Sequence, residues 1–209
     1  AVLHLTEVGN GSDNEYIDST GNGHHGTGGG LAGAGASAGT PGTNTGCAFG
    51  HRCQQFDDGG TADQIRLNNV VDGGWSGLTV QVWWRRDNSE DDRLFTKEWG
   101  TGANQYVWML GTDNDRKCRL QLDSGPGQEF NGSGNFSNST WYHYAMTWES
   151  IGGANNDPVN IYVDGVLQGI SGVLEGSTLF DDNTPPTIGN TPGGDRGFDG
   201  RIQEARISY

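Results

Sequence analysis

Residues 140–170 read TWYHYAMTWESIGGANNDPVNIYVDGVLQGI, and this stretch decides the fold. Tyr142, Tyr144, Met146 and Trp148 alternate with Trp141, His143, Ala145 and Thr147, the period-two pattern of a strand with one buried face. Further on, VNIYV (159–163) meets VLQGI (166–170) across Asp164-Gly165. A two-residue type I′ turn needs positive φ at both central positions, which Asp and Gly tolerate, so the pair predicts a tight β-hairpin.

The same pattern extends outward. VLHLTE (2–7), CQQF (53–56), DQIRL (63–67), LTVQVWWRR (78–86) and RLFTKEW (93–99) read as strands. So do QYVWMLG (105–111), KCRLQLD (117–123), TIG (187–189) and RIQEARIS (201–208). Gly, Asn, Asp or Pro fills almost every gap, and no 3.6-residue apolar period lasts three turns. In LTVQVWW, Leu78, Val80, Val82 and Trp84 share one face, while Thr79, Gln81 and Trp83 share the other. The apolar rows predict the core between two sheets. With no composition break and no internal repeat, residues 1–209 read as one all-β domain, a sandwich or barrel. The Gly-, Asn- and Ser-rich stretch 9–50 reads as a long loop, and such loops often carry function.

Gly occupies 37 of 209 positions, more than double the usual share of about 7%. Hydrophobic residues reach only 32%, yet 7 Trp, 7 Phe and 6 Tyr are more aromatic surface than a disordered chain carries. The formal charge is −14, which argues against nucleic acid and anionic membrane surfaces as partners. No apolar run is long enough to span a membrane. The first residues lack the basic and apolar regions of a signal peptide, as expected of a mature secreted domain. Cys47 and Cys53, in CAFGHRC, are spaced to close a small disulfide loop, which leaves Cys118 as a buried thiol. A disulfide points to an oxidising compartment, hence secretion or the cell surface.

The order of DSTGNGHHGT (18–27), QQFDDGGTADQIRL (54–67), GLTVQVWWRRD (77–87) and RLFTKEWG (93–100) is distinctive. It continues through TWYHYAMTWE (140–149), VNIYVDGVLQG (159–169), PPTIGN (185–190) and FDGRIQEARISY (198–209). Together these segments resemble the laminin-G-like, concanavalin-A-like jelly-roll domains in their bacterial form. The resemblance implies a β-sandwich of two antiparallel sheets and a role in recognising carbohydrate or extracellular protein, often as a module of a larger protein. It also implies a structural Ca²⁺, with Asp18, Gly21 and Asn22 as ligand candidates and Gln203 from the last strand. Relatives often carry Asp where Gln203 stands, and an amide brings no charge to the ion.

Catalytic signatures are weak. The E-x-D-x-E strand of hydrolases on this fold is missing, Glu90, Asp91 and Asp92 sit in a turn-like NSEDD, and Glu15 with Asp18 precedes a Gly loop. His143 between Tyr142 and Tyr144 resembles a lyase set only loosely, because neighbours on a strand point to opposite faces. His24-His25 lacks an H-E-x-x-H partner. The sequence therefore leans away from an enzyme, with a polysaccharide lyase or glycoside hydrolase as the alternative. Carbohydrate binding needs flat aromatic faces flanked by amides and hydroxyls. Trp99, Trp75 and Trp108, at strand ends or in loops, are the candidate platforms, with Trp83 on the mixed face. The resemblance gives Trp83 a structural role as well, and Trp99 is the first choice for an exposed ring.

Overall fold

The structure, a computed structural model, describes residues 1–29, 41–59, 63–68, 74–89, 93–98, 106–111, 116–120, 128–132, 134–151, 157–168, 170–171, 178–180, 183–194 and 196–209. Among these the strands, in chain order, begin with β1 (Val2–Leu3), β2 (Gly26–Gly28), β3 (Gly42–Asn44), β4 (Cys53–Phe56) and β5 (Ile65–Leu67). Then come β6 (Gly77–Arg86), β7 (Arg93–Glu98), β8 (Tyr106–Gly111), β9 (Arg116–Leu120) and β10 (Gln128–Gly132). The last are β11 (Tyr142–Glu149), β12 (Val159–Val163), β13 (Val166–Leu167), β14 (Ile170–Ser171), β15 (Thr187–Ile188) and β16 (Gly200–Ser208).

Two antiparallel sheets result. The first runs β13-β12-β11-β6-β16-β4-β3, with β1 added on β16; the second runs β14-β10-β9-β8-β7-β15-β5-β2. This is the jelly-roll sandwich that the resemblance implies, and of the sandwich or barrel that the strand pattern left open it is the sandwich. Leu78, Val80, Val82 and Trp84 of β6 are buried, as are Tyr144, Met146 and Trp148 of β11. They meet Phe95, Leu110, Cys118, Phe130 and Ile188 from the second sheet in one apolar cluster. Trp84 holds its end of that core through edge-on contacts with Phe136 and Phe198, at centroid distances of 4.7 and 5.9 Å. Each such pair adds about 1 kcal/mol beyond the area it buries.

Asp164 and Gly165 have φ of 51° and 77°, the signature of the type I′ turn that the sequence predicts. The Asp164 side chain also accepts the His143 N–H at 2.8 Å, fastening the turn to β11. Two strand readings need correction. VLQGI is split: Val166–Leu167 pairs with β12, while Ile170–Ser171 pairs with β10 in the opposite sheet. VLHLTE keeps only Val2–Leu3, because Leu5 at φ 54° turns the chain away. There the Gln54 amide donates to the carbonyls of Leu5 and Glu7, replacing the missing ladder.

The described parts of the 9–50 stretch are anchored to the core by the buried Tyr16 and ordered elsewhere by carboxylates. Glu15 accepts the N–H groups of Asn10, Gly11 and Gly28, and Glu7 accepts that of Ile17. Part of the chain's acidity thus caps its own backbone.

Candidate functional site

β16 lies between β6 and the first residues of the chain, where the Ala1 amino group donates to the Ile207 carbonyl and the Ile207 N–H to the Ala1 carbonyl. Beside this junction opens a cleft of about 700 Å³. One wall is the turn after Asp18, contributing Thr20, Asn22 and His24; Arg206 and Ser208 come from β16. Trp75 and Tyr209 supply its aromatic part, their rings stacked at a centroid distance of 4.2 Å and 20° between planes. Trp75 is partly buried against the core, and its carbonyl accepts the Leu179 N–H. Tyr209 is 83% exposed, so the ring face away from Trp75 is open to solvent. A smaller hollow of about 380 Å³ also borders Tyr209, lined by Thr79, Thr147, Glu149 and Asn160.

Asp18 shapes the cleft's turn. It is 3% exposed, and its carboxylate accepts the N–H groups of Val2, Thr20 and His24 and the Thr20 hydroxyl, at 2.8–3.2 Å. Burial alone would raise its pKa, but these donors outweigh burial and hold the carboxyl well below the usual range. The Asp18 N–H in turn donates to His25 Nδ1. Gly21 and Gly23, at φ 77° and 79°, let the turn close.

The Ca²⁺ expectation meets this geometry directly. Both Asp18 oxygens are committed to protein donors, and the Gln203 Oε1 accepts the Phe49 N–H in the loop closed by the Cys47–Cys53 disulfide. Asn22 lines the cleft together with Trp75. Among the described residues no three side chains of His, Cys, Asp and Glu gather in one place. As arranged, the Asp18 and Gln203 side chains turn their oxygens to protein donors rather than to a cation.

The tryptophans separate. Trp75 lines the cleft. Trp108, expected as a surface platform, is fully buried on the core face of β8, edge-on to Phe95 at 5.0 Å. It stands inside β8 rather than at a strand end, and it shares the core face with Leu110. Trp83 lies on the outer face of the first sheet, covered by Phe49 at 4.8 Å and by His143 at 5.2 Å. Trp99 and the acids at 90–92 lie outside the described residues. His143 is half-buried, its Nε2 2.9 Å from Gln81 Oε1, and desolvation lowers its pKa against the pull of Asp164 and Glu204. Cys118 is a buried free thiol. Tyr209 and Arg206 escaped sequence reading. A lone aromatic after a strand carries no periodic signal, and only the stacking on Trp75 marks it.

A model of the laminin-G type within the concanavalin A-like lectin/glucanases superfamily matches residues 58–209. The chain belongs to this superfamily. No curated protein sequence matches it closely enough to serve as a relative. Among solved structures, this laminin-G-like chain resembles domain 4 of AbnA, a GH43 extracellular arabinanase from Geobacillus stearothermophilus, seen with arabinotriose. That match has a TM-score of 0.56 and 19% identity, covering 91% of this chain and 84% of the other. It also resembles the SAP-like pentraxin of Limulus polyphemus, with a TM-score of 0.51, 13% identity and coverage of 69% and 68%. A third likeness is to botulinum neurotoxin type C, whose cell entry depends on two ganglioside molecules. Its TM-score is 0.57 at 13% identity, and the match covers 98% of this chain but 47% of the toxin chain. At these identities the likenesses establish the fold.

Proposed function

We propose that this laminin-G-like domain is a non-catalytic recognition module that binds carbohydrate in the Trp75–Tyr209 cleft. The observation that carries the reading is the open face of Tyr209, braced from behind by Trp75 and ringed by Thr20, Asn22 and Ser208. An aromatic face takes sugar C–H groups, while hydroxyls and amides match sugar hydroxyls in both hydrogen-bonding senses. The arabinotriose held by the arabinanase domain and the gangliosides of the neurotoxin are in keeping with such a ligand. The Cys47–Cys53 disulfide agrees with a secreted or surface-exposed module. His143 supports the non-catalytic reading, since its Nε2 is tied to Gln81 and its ring packs on Trp83.

Affinity electrophoresis through gels containing a panel of polysaccharides tests this, with Tyr209→Ala as the variant because its exposed side chain leaves the core untouched. The wild type is retarded by at least one polysaccharide, and the variant loses about tenfold or more in affinity, roughly 1.4 kcal/mol. Equal retention of both proteins would refute the site. Release of reducing ends or unsaturated sugars would make the domain an enzyme.

A further inference from the structure

The Tyr209 cleft continues onto the outer face of the first sheet, where strand register aligns four uncharged polar side chains in a row. Ser208 pairs with Thr79, Thr79 with Thr147, and Thr147 with Asn160, crossing β16, β6, β11 and β12. Ser208 borders the larger cleft, and Thr79, Thr147 and Asn160 line the smaller hollow. Tyr209 borders both, so the two hollows are neighbours.

We infer that this row is the binding track for an extended, neutral polysaccharide, whose chain runs across the strands from the Tyr209 face to Asn160. The inference rests on the carbohydrate-binding reading and specifies the ligand class. Neighbouring strands stand about 4.8 Å apart, so three spacings span about 14 Å, room for about three sugar rings end to end. None of the four side chains is buried, and among the described residues none spends its hydroxyl or amide on another group. Each therefore offers both a donor and an acceptor, the combination that matches a hydroxyl-rich chain. The residues of the row carry no charge, and the molecule's −14 disfavours an anionic polymer. Glu149, at the margin of the smaller hollow, adds to that bias.

Titration calorimetry distinguishes this track from the cleft alone. The probes are arabino-, xylo-, cello- and manno-oligosaccharides graded from disaccharide to hexasaccharide, with polygalacturonate as the anionic comparison. For the sugar series that binds, wild-type affinity rises about tenfold or more from disaccharide to hexasaccharide. The double variant Thr147→Val/Asn160→Ala, checked for an unchanged near-ultraviolet dichroism spectrum, binds the hexasaccharide no better than the disaccharide. If the wild type binds both lengths equally, or the double variant keeps the length dependence, the track is wrong and the Tyr209 cleft stands alone. Preferential binding of polygalacturonate overturns the neutral assignment. Failure of every sugar to bind removes both the track and the function beneath it.

Discussion

Asp18 offers the sharpest separation between two accounts of the same loop. Its carboxylate is the common acceptor for the N–H groups of Val2, Thr20 and His24 and for the Thr20 hydroxyl. Asp18→Ala strands four donors, each worth about 1 kcal/mol net, so the loss is about 4 kcal/mol. For a chain of this length, each kcal/mol moves the melting midpoint by about 2–4 °C, which gives a fall of roughly 8–16 °C. The pH dependence has a definite sign. The folded pKa is depressed, so the stabilisation is fully present above the unfolded value of about 4 and is lost as pH falls through the lower folded value. Differential scanning fluorimetry, with and without a chelator and from neutral to acid pH, reads all of this. The expected wild-type midpoint is unchanged by chelator, and the variant's deficit narrows as pH falls below about 4. A chelator-induced fall in the wild type, absent from Asp18→Ala, would show Asp18 to be a metal ligand. A variant deficit under about 2 °C would refute the role as backbone acceptor.

Two further outcomes follow from the outer face. His143 is held neutral by burial, so the unfolded chain takes up a proton first as pH drops. Stability is therefore complete above about 6.5 and declines below it until the lower folded pKa is reached; His143→Gln flattens that decline in urea titrations at stepped pH. The Cys47–Cys53 loop has a sequence separation of 6 and constrains the unfolded chain by about 2 kcal/mol. Replacing both cysteines by Ser lowers the midpoint accordingly and frees Phe49 from Trp83, which shifts tryptophan emission. Unaltered emission would mean that the Phe49 N–H bond to Gln203 suffices to hold the ring.

How far the sequence reaches depends on the range of the interaction. The β11 row, the Asp164-Gly165 turn and the buried face of β6 were legible because alternation and turn chemistry act between neighbours. Gly26–Gly28 and Gly42–Asn44 were illegible as strands because they carry almost no side chain to show a period. QEFNG offers a single large apolar group, Phe130, and is a strand because Cys118 and its neighbours pair with it. Candidate rings divided in the same way. Sequence position could propose Trp75 and Trp108 alike, but only the packing of one sheet on the other buried Trp108 and left Trp75 at an opening.

By itself the sequence determined an all-β chain, the inward faces of its long strands, one tight hairpin and one disulfide. Those properties follow from residue type and near-neighbour spacing. The tertiary structure decided that Tyr209 stacks on Trp75, that Asp18 is an acceptor for backbone donors, and that Ser208, Thr79, Thr147 and Asn160 stand in line. Each joins segments far apart in the chain. Their meeting is set by strand order and register, which no local pattern encodes.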